Sequence, residues 1–412
     1  MPRPNPKPMP VVECHVTDMG VDGLGVARVD EKVVFVEGGM PGDRVQVQIY
    51  RNKGRYAQGR VVELLEPSSH RVSPVCQHFG TCGGCKWQNM DYPTQLVYKT
   101  KQVHAALTRI GGLSLDGVIV EPALPAPEIY RFRNKLEFTF TNRRWLTRDE
   151  LLQSQEQSSS TESTTHGFPG TGLGFHLSGR FERILHIEIC YLMDEVADMI
   201  RNAFYQKAME HSLSFYDIRS RQGYLRNLML RNTIDGQWMV LLSVSEDKPE
   251  ILLPYLEALR LLLPQVQQWL YTINTKVNDS LEGLEIQVYQ GQNRLTETLD
   301  GLRFGISATS FFQTNPRQAL ALYRLALDWC ALQGDELVYD LYTGTGSIAL
   351  FLARHAAKVI GIEYVEAAVE DARRNAEANG IRNTEFYAGD MARLLNQDFY
   401  SAHGRPDRKS VV

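Results

Sequence analysis

The stretch Leu337-Val-Tyr-Asp340-Leu-Tyr-Thr-Gly344-Thr-Gly346-Ser-Ile constrains this chain most. A short apolar strand runs into a glycine turn, and Ser347 to His355 continues as an apolar-periodic helix. Gly344 and Gly346 let the backbone turn sharply and approach a ligand where a Cβ would block it. The helix that follows presents free N–H groups to that ligand. A second strand, Ala357 to Ile362, ends in Glu363. An acid about twenty residues past such a turn, at a second strand end, suits a bidentate hold on ribose hydroxyls. A third strand, Thr384 to Ala388, ends in Gly389-Asp390. This order predicts a nucleoside-cofactor site on a doubly wound α/β sheet.

The full dinucleotide fingerprint asks for a third glycine for close helix packing, and Leu350 or Phe351 stands there instead. In order and spacing the stretch resembles an S-adenosylmethionine methyltransferase rather than a nicotinamide dehydrogenase.

The chain has 412 residues, room for two to four domains. Its net charge of −4 gives no global nucleic-acid signature, so any RNA contact has to come from local basic patches. No apolar run approaches ~20 residues, so no membrane span is implied. The N-terminus, Met1-Pro-Arg-Pro-Asn-Pro-Lys-Pro, is proline-rich and has no apolar signal core, which argues for a cytosolic protein. Residues 1–10 read as a disordered leader.

From Val11 to about position 67, apolar and polar residues alternate in short runs broken by glycine, which predicts a small β-barrel. Arg51, Lys53, Arg55 and Arg60 gather around Tyr56, a basic hairpin suited to RNA. The Gly23-Leu-Gly25 loop, Val34-Phe-Val36, Pro41-Gly42-Asp43 and the Ala57 to Leu64 strand resemble the TRAM domain, an oligonucleotide-binding-like barrel of RNA-modifying enzymes.

Next comes Cys76-Gln-His-Phe-Gly-Thr-Cys82-Gly-Gly-Cys85. In a cytosolic protein such crowding points to metal rather than disulfides. Three thiolates do not fill a tetrahedral zinc site or a four-iron cluster, so Cys14, Cys190, Cys330 or His78 has to complete it, and the spacing leaves zinc and iron–sulfur both open.

Cys-x5-Cys-Gly-Gly-Cys followed by Trp87-Gln88 and Tyr92, just after a TRAM-like barrel, resembles the RNA uracil-C5 methyltransferase family, over nearly the whole chain from about Val11 to Asp407. The resemblance implies a 4Fe–4S cluster held by Cys76, Cys82, Cys85 and a distant cysteine that matches Cys190. It also implies three parts: the barrel, a central α+β cluster and RNA-binding domain over 76–295, and a Rossmann-like class I methyltransferase domain over 300–412.

Tyr130 to Phe140 alternates basic and apolar residues, and Arg131, Arg133 and Lys135, with Arg143 and Arg144, make the densest basic patch. It resembles the family's Tyr-Arg-x-Arg-Asn-Lys strand and is expected to contact RNA phosphates, which position a substrate without reading its sequence. Arg219, Arg221, Arg226 and Arg231 are further basic positions. Residues 151–172 are rich in Ser, Thr and Gln and read as a disordered insertion.

Ser310-Phe-Phe-Gln313-Thr-Asn315 matches one of the family's more specific motifs. By resemblance Gln313 contacts the methionine part of S-adenosylmethionine, Tyr342 is the loop aromatic, Glu363 the ribose acid and Asp390 the adenine-side acid. Gly344, Gly346 and Ser347 form the turn; Ser347 stands where some members carry asparagine, and Thr343 replaces a cysteine or other small residue.

The family's chemistry needs a thiolate that adds to uracil C6 and a base that removes the C5 proton. Its Asp-Pro-Pro-Arg-like motif, its cysteine in a Ser-Cys-x-Pro-like motif and its glutamate base are not found here, and Cys330, on the helix before the turn, does not replace them. The tail Asp407-Arg-Lys-Ser-Val-Val412 does not resemble the family; in codons GAT-CGG-AAG-AGC-GTC-GTG it reads as a sequencing adapter. The expectation is a truncated reading frame whose methyltransferase domain keeps about three strands of the roughly seven usual, with half a core, poor solubility and no turnover.

The parent protein is thus expected to be a cytoplasmic, monomeric enzyme that makes 5-methyluridine in 23S ribosomal RNA. A tRNA uridine is the alternative target, and a non-catalytic RNA-binding iron–sulfur protein the alternative class.

Overall fold

The computed structural model describes residues 10–147, 150 and 170–411; the leader through Met9 and the polar stretch 151–169 lie outside them. The chain forms two compact units. Residues up to Ala126 together with His176–Phe181 make one, and Pro127–Phe175 with Glu182 onward the other.

In the first unit, β1 (Val11–Met19), β2 (Gly25–Val29), β3 (Lys32–Glu37), β4 (Arg44–Asn52) and β5 (Tyr56–Glu66) close a barrel in the order β1-β2-β3-β5-β4. Alternation puts one face inward, where Val16, Val34, Val36, Val45 and Val47 pack with Cys14. β-branched side chains suit this pleated, enclosed surface. The Cys14 thiol therefore belongs to the barrel core, and burial pushes its pKa up.

The barrel's last corner is held by Asp43, which is fully buried. Its carboxylate accepts from the amides of Met40 (2.8 Å) and Ser68 (2.9 Å) and from Arg71 through Nε (2.8 Å) and Nη2 (2.6 Å). Gly42 beside it has φ +95°, and a Cβ there would meet Ser68 Oγ at 2.6 Å.

The residues after the cysteine segment pack on the barrel: Met19 and Met40 cluster with Met90, Trp87 and Tyr98. A helix follows, α1 (Tyr92–Ala105), capped by Asp91, which accepts from Thr94 N at 2.8 Å, and it runs on into one π turn, Ala106–Ile110.

The second unit opens with an eight-stranded sheet. Its strands are β6 (Lys135–Thr141), β7 (Arg144–Trp145), β8 (Gly172–Leu177), β9 (Arg180–His186), β10 (Leu225–Asn232), β11 (Trp238–Val244), β12 (Gln268–Ile273) and β13 (Gln287–Gln290). Their order is β13-β12-β11-β10-β6-β8-β9-β7. Helices α2 (Glu195–Glu210) and α3 (Pro249–Leu262) pack together, with Tyr255 Oη donating to Phe204 O at 2.6 Å and Phe204 stacked on Trp269.

Two of the further basic positions, Arg226 and Arg231, are core residues. Arg226 is 1% exposed and donates to the carbonyls of Asn274, Lys276 and Asn278 and to Asp279. Arg231 is 3% exposed and serves the carbonyls of Ser307 and Ser310. Both sit on β10, a central strand covered on both faces, so each guanidinium is spent on backbone oxygens that would otherwise be orphaned.

A hairpin, β14 (Leu295–Leu299) and β15 (Leu302–Ile306), leads through an irregular stretch to α4 (Pro316–Cys330). Then come β16 (Leu337–Leu341), α5 (Ser347–Ala353), β17 (Lys358–Glu363), α6 (Glu366–Ala378), β18 (Thr384–Ala388), α7 (Met391–Leu394), α8 (Gln397–His403) and β19 (Arg408–Val411). The four strands are parallel in the order β18-β17-β16-β19.

One expectation changes. The tail forms a fourth strand, with Val338 opposite Arg408 and Leu341 opposite Val411. Strand pairing needs backbone groups in register rather than a family-like sequence, and Asp407 sets that register: Leu337 N donates to its Oδ2 at 3.0 Å and its own N to Leu337 O at 2.9 Å. Both faces of this sheet carry packed apolar residues. Val338, Val359, Leu350 and Phe386 pack on one face of the sheet, and Tyr339, Ile360, Ile362 and Phe399 on the other.

Replacing Asp43 by alanine strands the Arg71 cation and two amides. It should cost on the order of 3 kcal/mol, read as a lowered urea midpoint and faster hydrogen exchange at the Met40 and Ser68 amides.

Candidate cofactor cleft and nucleic-acid surface

The glycine turn is set by a carboxylate that the motif reading passed over. Asp340, 2% exposed, accepts from Thr343 Oγ1 at 2.7 Å and from Ala349 N at 3.0 Å. It thereby ties the strand end to the loop and to the first turn of α5. Burial pushes its pKa up to about 7, against the pull of those two donors. A charged residue inside an otherwise apolar strand was the available signal, since such a group needs a built environment.

Gly344 and Gly346 have φ of +56° and +79°. At Gly346 a Cβ would come within 2.9 Å of the Ala372 Cβ, so the position admits no larger residue without displacing α6. Tyr342 also has positive φ, +63°, a conformation sparse for a bulky residue and one that turns up at ligand sites.

A cleft opens over this turn. Four sequence-predicted residues, Gln313, Tyr342, Gly344 and Ser347, line it together with Asp340 and Phe311. Tyr323 Oη lies 2.9 Å from Ser347 Oγ at the cleft wall. Glu363 is joined to the same turn: its Oε2 accepts from Gly344 N at 3.1 Å and its Oε1 from Val365 N at 3.0 Å. Asp390 stands at the next strand end, where Gly389 N donates to Glu363 O at 2.8 Å; it caps α7 through Ala392 N at 2.8 Å and is not among the lining residues. Phe311 is 70% exposed and Tyr342 55%, so the mouth of the cleft carries two aromatic faces.

The cysteine loop is tightly folded. Gly83 N donates to His176 O at 3.0 Å, and a Cβ on Gly83 would meet that oxygen at 2.8 Å. Burial pushes the Cys82 thiol up to about 11, with the nearby Cys85 and Cys76 thiols adding to it. Three thiols on one such loop suit a thiophilic metal chemically, yet among the described residues no three Cys, His, Asp or Glu side chains converge closely enough to hold an ion. Cys190, 8% exposed, is fixed through its backbone: its N donates to Asp198 Oδ1 and its O accepts from Arg131 Nη1, both at 2.8 Å.

That contact redirects Arg131. The same guanidinium donates to Met193 O and to Asp198 Oδ2, each at 2.8 Å, and lies over the Tyr191 ring. Arg131 has φ +56°, which breaks the strand before Lys135 and turns the side chain inward, away from the solvated face that alternation suggested. Arg133 Nε donates to Lys135 O at 2.9 Å, and Lys135 is partly buried, its pKa lowered first by burial and then by Arg231. Arg143, Arg51, Lys53, Arg55 and Arg60 stay largely exposed.

Comparison with known proteins matches residues 10–62 to the TRAM domain and residues 333–404 to a methyltransferase domain. An uncharacterized RNA methyltransferase of Bacteroides thetaiotaomicron is 44% identical over 94% of this chain and 84% of its own length. One of Porphyromonas gingivalis is 44% identical over 95% and 83%. Among solved structures, the Pyrococcus abyssi tRNA (uracil-54, C5)-methyltransferase in complex with S-adenosyl-L-homocysteine shares the fold at a TM-score of 0.65 and 24% identity, over 92% of this chain and 79% of that one. A TRAM barrel, a methyltransferase sheet with its glycine turn, and relatives of this identity along almost the whole chain together place it in the RNA methyltransferase family.

Proposed function

We propose that this chain is built for S-adenosylmethionine-dependent methylation of uridine C5 in RNA, 23S ribosomal RNA first and tRNA second. The observation that carries the cofactor reading is the convergence of Gln313, Tyr342, Gly344 and Ser347 on one cleft, with Glu363 bonded to the Gly344 amide. When bound, the cofactor supplies an electrophilic sulfonium methyl. By resemblance Glu363 is the residue that takes up the ribose hydroxyls. Phe311 and Tyr342 offer exposed faces on which an unstacked base could rest. The exposed cations of the barrel hairpin, with Arg133, Lys135 and Arg143, are the proposed phosphate contacts.

Covalent catalysis at C5 needs a thiolate. No cysteine among the described residues lines the cleft; Cys330 ends α4. We therefore assign to these 412 residues cofactor and RNA binding without turnover. Cys76, Cys82, Cys85 and Cys190 are carried as ligands of a 4Fe–4S cluster on the strength of the sequence resemblance, and no step of the reaction passes through it.

Three measurements test this reading. Calorimetry with S-adenosylhomocysteine should show micromolar binding that falls at least about tenfold in Glu363→Ala, the loss of a charge-assisted pair of hydrogen bonds. Absence of binding to the native chain would remove the cofactor reading. Anaerobically purified protein should be brown and carry iron and sulfide in equal amount, both lost in Cys82→Ser; a colourless protein with zinc would end the cluster assignment.

The third concerns pH. Because the Asp340 carboxyl is raised to about 7 by burial, the folded state holds a proton that the unfolded chain releases near pH 4. Its contribution to stability is therefore greatest on the acid side and is lost as pH rises from about 4 to about 7. Asp340→Asn should flatten that part of the stability–pH curve.

A further inference from the structure

Gln313 owes its place to the central sheet rather than to the cleft it lines. It sits in the irregular stretch between β15 and α4. The start of that stretch is tied by Arg231 to the carbonyls of Ser307 and Ser310, and by Ser310 Oγ, which donates to Asp371 Oδ2 at 2.8 Å. Its end is tied by Asn134, the residue just before β6. Asn134 N donates to Thr314 O at 2.9 Å and Asn134 Nδ2 to Gln313 O at 3.0 Å. Asn134 is itself pinned, since its carbonyl accepts from Asn232 N at 3.1 Å. It is 6% exposed, and its Oδ1 is buried with no partner among the described residues, so the bond to Gln313 is what orients the amide. Between the two anchors Phe311 stays exposed and Gln313 lines the cleft.

We propose that Asn134 is a positioning residue for the cofactor: by holding the Gln313 carbonyl it fixes the backbone from which the Gln313 side chain reaches the bound molecule. This rests on the cofactor reading given above. Basic neighbours drew attention to this strand as an RNA surface, and Asn134 among them makes the same strand a support for the cofactor loop. Alanine at 134 leaves the backbone bonds in place and removes the side-chain donor. Aspartate keeps the shape but sets an oxygen against the Gln313 carbonyl, turning an attraction into a repulsion.

The test uses the whole chain, with S-adenosylhomocysteine as the probe, and compares the native protein with Asn134→Ala, Asn134→Asp, Gln313→Ala and the Asn134→Ala/Gln313→Ala pair by calorimetry. Hydrogen exchange of residues 307–315 is followed in parallel without ligand. Asn134→Ala should weaken binding about tenfold, the worth of one well-placed hydrogen bond, and Asn134→Asp at least as much. The double variant should bind no more weakly than Gln313→Ala alone, because Asn134 acts through Gln313. Exchange across 307–315 should quicken in Asn134→Ala. Should that variant fail to fold, Asn134→Asp carries the comparison. Native affinity in either Asn134 variant, or additive losses in the pair, would overturn the proposal. A native chain that binds no S-adenosylhomocysteine would overturn both this and the cofactor reading, and unchanged exchange would show separately that Asn134 does not hold the stretch.

Discussion

One buried carboxylate organises the methyltransferase sheet. Asp340 closes a short ring of bonds from the end of β16 to Thr343 and to the first turn of α5. A polar group taken out of water is tolerated only where partners are already waiting. Here those donors belong to the turn itself, so satisfying Asp340 and shaping the turn are the same event. Gly346 can then meet Ala372, and the Gly344 amide can meet Glu363. The cleft follows from that geometry rather than from a hollow left between domains.

A second set of bonds carries the shape outward. Arg231 and Asn134, from β10 and the approach to β6, hold both ends of the stretch that bears Gln313. Both are polar, both are buried, and both spend their donors on carbonyls of an irregular segment that makes no ladder of its own. Loops near a ligand need such outside satisfaction of their backbone, since neither helix nor sheet supplies it.

What could be read from the chain divides along these lines. The glycine turn, Glu363 and the alternating barrel strands were legible because backbone geometry demands those residue types at those spacings. So was the Gln313 motif, by resemblance. Side-chain direction was not. A guanidinium in an alternating strand reads as a solvated face, yet the left-handed backbone at Arg131 and the two-sided burial of β10 turn Arg131, Arg226 and Arg231 inward. The fourth strand at Arg408–Val411 was missed because pairing there depends on Asp407 and the β16 backbone, which no side-chain pattern advertises. Asp340 and Asn134 were passed over because each acts within the protein, on a neighbour far away in sequence or hidden in the turn.

The barrel's closure has a separate implication. Because β3 pairs with β5 and β1 with β4, every strand has a neighbour on both sides, and the ring has no free rim of amides and carbonyls. A partner cannot extend it by adding a strand of its own. Whatever the barrel grips must be met by side chains and loop tips alone, so its selectivity can be rewritten by exchanging a few surface residues while the ring of valines beneath stays untouched.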